Sequence, residues 1–263
     1  HYQYETHPGT PSFGITPLDR YDHEILFTDQ QIARVFDSLR GAGLWHKTIV
    51  VVTGDHGEGF GEHGITFHGY HLYAAQTKVP LIVRVPGLAP RRVTTPISHV
   101  DIFPTLANLI GAPPTPDMMG RSFVGEMSGQ ADANRDDPVF QEVIYEGPTE
   151  RRALATRCWH LIYNMVPDNT FELYDLCRDP QETRDVASDH ESSSEILALK
   201  QTLLHFVDRA QVPPEALQKL QTALLARDPL PQERADADLG EDGDVHFFGV
   251  DLDRREVKRG ESL

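Results

Sequence analysis

Apolar residues recur at helical spacing over 18–39, where Tyr21, Ile25, Ile32, Val35, Phe36 and Leu39 share one stripe and Gly41 and Gly43 end it. The spacing predicts an amphipathic helix. Thr48-Ile49-Val50-Val51-Val52-Thr53 follows, a short β-branched run with the composition of a strand buried on both faces. After a glycine- and histidine-rich loop over 54–69, a short helix is expected near 72–77. A second buried strand follows at 79–85, where Pro80 suits the strand start. Helical spacing returns over 101–110, with Asp101 or Ser98 as N-cap and Gly111 as stop, and this helix is expected to return over the sheet.

Beyond Gly120, Gly, Ser, Asp and Asn dominate as far as Asp137, which reads as a loop between subdomains. Closely spaced strands at 139–145, 152–157, 159–164 and 171–176 predict a small antiparallel sheet, and a helix over 194–210 is placed to cover one face of it. A further helix at 214–226, a charged linker at 227–244 carrying Pro229 and Pro231, and an alternating stretch at 245–257 complete the pattern.

Composition narrows the picture. With 24 basic and 40 acidic side chains, the 263 residues carry a net charge of −16, which repels a phosphate backbone, so nucleic acid is not expected as a partner. No apolar run approaches the roughly 18–20 residues of a membrane-spanning helix. Cys158 and Cys177 are spaced to allow a bridge, but two thiols leave the redox compartment open. The chain opens without Met in an aromatic, histidine-rich stretch and stops after a strand-like segment, and it is read as a piece of a longer protein.

The densest chemistry lies in Gly54-Asp55-His56-Gly57-Glu58-Gly59-Phe60-Gly61-Glu62-His63-Gly64-Ile65-Thr66-Phe67-His68-Gly69, at the end of the first predicted strand. In open α/β sheets ligands bind at that edge. Asp55 and His56 offer one carboxylate oxygen and one imidazole nitrogen, a donor pair suited to a divalent cation once other groups complete the shell. The glycines let backbone approach a small anion closely, and His63 and His68 are candidate substrate contacts. Any one of these histidines alone fits an ordinary surface or core residue; the cluster points to chemistry.

In order along the chain, 48–64, His68-Gly69, Leu72-Tyr73 and Val79-Pro80-Leu81-Ile82-Val83 resemble the second signature region of sulfatases, in the alkaline phosphatase superfamily. Tyr21-Asp22, Glu24-Ile25 and Asp29 agree before it. Val100-Asp101-Ile102-Phe103-Pro104-Thr105-Leu106, Gly120-Arg121-Ser122, Leu173-Tyr174-Asp175-Leu176, Asp179-Pro180 and Glu182 agree after it. The resemblance implies an α/β fold, part of an alkaline-phosphatase-like sandwich with a mostly parallel sheet, followed by a small antiparallel-sheet and helix subdomain. On that reading 1–125 is the C-terminal half of the catalytic domain, 138–212 the subdomain, and 213–244 a helix and linker. The stretch 245–263 is then the start of an appended β module, with a disordered end as the alternative.

The resemblance also implies roles. Asp55 and His56 stand where the family has two metal ligands, and His68, twelve residues after His56, stands where many sulfatases carry a lysine on the sulfate group. His7 resembles the histidine that helps protonate the leaving group, although Thr6 replaces the usual preceding proline and His1 is an alternative. His63 at most supports these contacts. One divalent cation is implied, calcium first and Mn, Mg or Zn otherwise. A formylglycine made in a Cys/Ser-x-Pro-x-Arg motif is implied too; this sequence lacks that motif, and Cys177-Arg178-Asp179-Pro180 has the wrong order.

The expected reaction is hydrolysis of a small-molecule or glycan sulfate ester. A phosphodiesterase, phosphonate hydrolase or phosphoglycerol transferase of the same superfamily is the alternative, and a non-catalytic binding relative is the alternative of another class. The present chain alone is expected to bind metal weakly and turn nothing over, its partner being the N-terminal half of the same protein. A periplasmic, extracellular or membrane-tethered location is what the resemblance suggests.

Overall fold

The computed structural model describes residues 4–113, 118–130, 136–145, 149–190, 193–210, 237–239 and 245–247. The first predicted helix is α1 (Pro17–Gly41). Thr16 caps it: the hydroxyl accepts from the Asp19 amide at 3.1 Å while the Asp19 carboxylate accepts from the Thr16 amide at 2.9 Å, and Pro17 occupies the first turn, where no N–H is needed. The β-branched run forms β1 (Val50–Thr53).

The glycine-rich stretch, read from sequence as a loop, contains a two-residue hairpin, β2 (Gly59–Phe60) with β3 (Thr66–Phe67). A single helical turn, α2 (Ala74–Thr77), leads into β4 (Leu81–Arg84). Where the resemblance implies a mostly parallel sheet, β1 and β4 pair antiparallel, Val50 opposite Arg84 and Thr53 opposite Leu81. The connection between them, residues 54–80, runs through the β2–β3 hairpin and α2 and brings β4 back beside β1 in the opposite direction. The strands are also not buried on both faces as predicted. Ile32, Phe36 and Leu39 of α1 flank Val51 across a groove, but both strands are only half buried and Ile82 is 62% exposed.

Helix α3 (Ile102–Ile110) follows a turn in which Ser98 and Asp101 cap one another, and Gly111 ends it at φ 73°. Its partner is α4 (Val124–Ser128), a short helix inside the stretch read as a loop. The buried Thr105 hydroxyl accepts from the Phe123 amide at 3.0 Å and a buried Asp101 oxygen accepts from the Arg121 amide at 2.8 Å, so two polar side chains of the α3 segment fix the backbone entering α4.

The predicted antiparallel sheet is a meander of β5 (Val139–Tyr145), β6 (Thr149–Ala155), β7 (Trp159–Val166) and β8 (Thr170–Asp175). Strand alternation divides its apolar side chains. Leu154, Leu161 and Leu173 face α5 (Ser194–Ala210) and pack with Ile196 and Leu203. Ala153, Ile162 and Tyr174 face the other way, onto Leu72 and Tyr73 just ahead of α2. That second face sets the sheet against the histidine-rich segment. Further along, β9 (Ala237–Leu239), in the stretch read as linker, pairs antiparallel with β10 (Val245–Phe247). The helix predicted at 214–226 lies outside the described residues, as does His1.

Cys158 and Cys177, 19 residues apart, form a disulfide that ties the β6–β7 turn to the end of β8. Closing a loop of this length stabilises the fold by about 3 kcal/mol through the unfolded chain. Replacing both cysteines by serine is therefore expected to lower the unfolding free energy by about 3 kcal/mol, seen as a lower midpoint in denaturant, and an unchanged midpoint would show that the bridge constrains nothing. No helix among the described residues is long and apolar enough to cross a membrane.

Candidate functional site

The site is built where β1 ends. Asp55 is 74% exposed by side chain, and its Oδ1 accepts from the His56 amide at 3.0 Å. That bond, helped by the nearby His56 and His68 rings, holds its carboxyl below the usual aspartate range. His56 Nδ1 lies 2.9 Å from the Gly57 carbonyl, which can only accept, so Nδ1 carries the proton and Nε2 is left as the electron-pair donor. Nε2 lies 3.6 Å from Asp55 Oδ2. One imidazole nitrogen and one carboxylate oxygen thus converge as a chelating pair, with the tautomer a metal ligand requires. Among the described residues no third His, Cys, Asp or Glu joins them in a metal-binding group.

His68 completes the cluster. Its ring lies 4.0 Å from the His56 ring, and its Nδ1 donates to both oxygens of Glu58 at 3.2 Å. The Glu58 side chain is only 5% exposed and also accepts from the Tyr4 hydroxyl at 2.8 Å. Tyr4, Tyr21 and Phe60 pack edge to face or tilted against one another beside this carboxylate, and burial together with Glu58 pushes the Tyr4 hydroxyl well above its ordinary pKa and raises that of Tyr21. The buried carboxylate holds the His68 proton on Nδ1, and the ring lies stacked beside His56. Phe67, directly before His68, adopts a left-handed φ of 69°, a strained conformation held by its surroundings.

Glycine is required where the loop doubles back. A Cβ on Gly57 would stand 2.0 Å from the Ala75 carbonyl oxygen, and one on Gly59 would stand 3.1 Å from the carbonyls of Ile65 and Phe67. No side chain fits between the site loop and α2.

Of the sequence-derived candidates, Asp55, His56 and His68 are brought together. His7 and His63 are not. His7 is held on α1, where its Nε2 bonds Glu24 at 2.9 Å, its amide donates to His23 and its ring stacks on Phe27 at 3.7 Å. His63 sits at the hairpin tip in a left-handed conformation (φ 54°) and stacks on Tyr73 at 3.8 Å, against the second sheet. Sequence reasoning gave no role to Glu58. Its only signal was a carboxylate two residues beyond the Asp-His pair.

The face that receives His63 is a polar network. Glu172 accepts from the hydroxyls of Tyr73 (2.8 Å) and Tyr174 (2.5 Å) and from the Asn164 amide (2.6 Å). Burial raises its pKa, but these three donors outweigh it and leave the carboxyl below the ordinary range. A group with a depressed folded-state pKa stabilises above its unfolded pKa, and the contribution is lost as pH falls through the folded value. Glu172→Gln is accordingly expected to cost on the order of 1 kcal/mol at pH 7, modest because the group is only partly buried. The difference from wild type should shrink as acid protonates Glu172. A cost equal at pH 7 and pH 3 would show that the charge is not what matters.

Residues 1–112 match the profile of the Sulfatase family, and residues 61–209 match N-sulphoglucosamine sulphohydrolase, C-terminal. Among curated proteins, the uncharacterized sulfatase YidJ of Escherichia coli K12 is 30% identical over 190 residues, covering 71% of this chain and 37% of YidJ. Among solved structures, a 2-O GAG sulfatase superposes with a TM-score of 0.63 at 27% identity, covering 72% of this chain and 42% of its own. A phosphonate monoester hydrolase from Silicibacter pomeroyi superposes with a TM-score of 0.64 at 24% identity, over 77% and 44%. The chain thus spans less than half the length of these relatives.

Proposed function

From the premise that this chain belongs to the sulfatase family, we propose that the intact protein hydrolyses sulfate esters with a divalent cation held in part by Asp55 and His56. The observation that carries the reading is the convergence of Asp55 Oδ2, His56 Nε2 and the His68 ring in one exposed cluster at the end of β1. A bound cation, calcium by family resemblance, supplies positive charge against the oxygens of the transferring group. Within this chain Asp55 and His56 orient that charge, and His68 presents an N–H or lone pair from a ring whose direction Glu58 fixes. His7, bound to Glu24 on α1, is assigned no step here.

The nucleophile, a formylglycine in this reading, and the other metal ligands belong to the N-terminal half of the same protein. The exposed Ile82, Phe103 and Ile110 offer apolar side chains to a covering layer of that kind. An exported location is supported by the Cys158–Cys177 disulfide, which persists in oxidising compartments.

The test is to assay the intact protein on an aryl sulfate and an aryl phosphonate, with mass spectrometry of the tryptic peptides upstream of His1. Sulfate release together with a Cys or Ser converted to formylglycine supports the proposal. Turnover of the phosphonate alone moves it to phosphonate hydrolysis, the activity named for one structural relative. No turnover and no nucleophile would make this a non-catalytic relative.

A further inference from the structure

We propose that Glu182 is a positioning residue for this site, acting through α2 on both His56 and His68. The inference rests on the sulfate-ester reading above for its kinetic effect, though not for its structural one. Glu182 is 1% exposed and sits in a left-handed conformation (φ 59°) at a turn beyond β8, where its amide donates to the Asp179 carbonyl at 3.1 Å. One carboxylate oxygen accepts from Nδ1 of His160, itself 2% exposed, at 2.5 Å; the other accepts from the amide of Ala74, the first residue of α2, at 2.7 Å. Burying a carboxylate is costly unless its oxygens are hydrogen-bonded. Here both are, and the bond to Ala74 fixes the start of α2 against the C-terminal sheet.

From α2 the constraint reaches the site on two sides. The Gln76 carbonyl accepts from the Gly57 amide at 2.7 Å, next to His56, and the Gln76 side-chain amide donates to the Phe67 carbonyl at 3.0 Å, next to His68. With no room for a Cβ between Gly57 and Ala75, a shift of α2 must move the His56 backbone. Arg151 holds the same segment through the Tyr70 carbonyl at 2.5 Å, so the sheet grips the stretch just beyond His68 at several points. Asp179, Pro180 and Glu182, which the reaction itself does not use, acquire a purpose as the turn that delivers this carboxylate.

The test compares Glu182→Ala, Glu182→Gln, Gln76→Met and the core control Leu203→Ala in the intact protein. Kinetics are read on the ester that the wild type hydrolyses, alongside amide hydrogen exchange of residues 57–77. Glu182→Ala is expected to lower kcat about tenfold to a hundredfold, the scale of a misplacement near 1 Å, with KM changed far less. Glu182→Gln keeps an acceptor for Ala74 and should recover most of the loss, while exchange in the α2 segment accelerates in the alanine variant. Should Glu182→Ala fail to fold, Gln76→Met, which removes the side-chain links to the Phe67 carbonyl and the His71 amide but keeps the backbone bond to Gly57, is expected to lower kcat about tenfold with faster exchange over 67–71.

Wild-type kcat and exchange in folded Glu182→Ala would overturn the proposal. So would an equal kcat loss in Leu203→Ala at matched destabilisation, because the effect would then be general. If the wild type hydrolyses neither ester, the proposed function fails while hydrogen exchange still decides the positioning role.

Discussion

His56→Ala in the intact protein is expected to lower kcat/KM on a sulfate ester about a thousandfold, the scale of losing the principal group that stabilises charge in the transition state. Asp55→Asn should do nearly as much. Both side chains lie at the surface, His56 at 37% and Asp55 at 74% exposure, so circular dichroism should be unchanged. The loss should fall mainly on kcat and be accompanied by reduced metal content in the dialysed protein, since each variant removes one donor of a converging pair. Addition of excess calcium or manganese should rescue Asp55→Asn better than His56→Ala, because the asparagine oxygen remains a weak ligand and the alanine supplies none. If His56→Ala keeps activity within about threefold of wild type, the pair is not a metal site and the sulfatase reading of this loop fails.

Those two residues were readable because adjacency in sequence put them adjacent in space. The same holds for α1 and the β5–β8 meander, whose periods of 3.6 and 2 are written into their apolar positions. The β2–β3 hairpin was not readable: strands of two residues carry no period, and glycine at 59 gives no β signal. The direction of β4 depended on the path of the whole 54–80 connection, hairpin included, which apolar pattern does not encode. Short α4 was hidden in a polar stretch because its buried apolar anchors, Phe123 and Met127, are isolated in sequence, and Phe123 is fixed through its amide by Thr105 from another helix.

The site was half legible for the same reason. His68 meets Glu58 across ten residues, and Glu58 meets Tyr4 across fifty-four. Glu182 reaches Ala74 across 108. Spacing alone could suggest that His63 joins the substrate, yet a left-handed backbone at the hairpin tip turns its ring onto Tyr73 instead. His7 shares a segment with Tyr4, which does reach the site loop, and differs from it only in finding Glu24 and Phe27 on α1 first.

The Glu58–His68 pair yields the second large prediction. His68→Ala removes the side chain stacked on His56 and is expected to lower kcat about a hundredfold to a thousandfold, the scale of losing one preorganised polar group beside the reacting centre. Glu58→Gln leaves His68 in place but replaces a carboxylate that accepts from both His68 and Tyr4 with an amide whose single oxygen can serve only one of them. The histidine can then rotate or change tautomer, and kcat should fall about tenfold to a hundredfold, with KM nearly constant. The two losses should not add. In the His68→Ala background Glu58 has nothing left to orient, so Glu58→Gln should cost little more there, and that coupling separates orientation from simple loss of stability. His68→Lys tests the chemistry directly: an ammonium needs no choice of tautomer, so this variant should retain more activity than His68→Ala and depend less on Glu58. Full additivity of the Glu58 and His68 effects would mean that the buried carboxylate supports the aromatic box around Tyr4 and not the histidine.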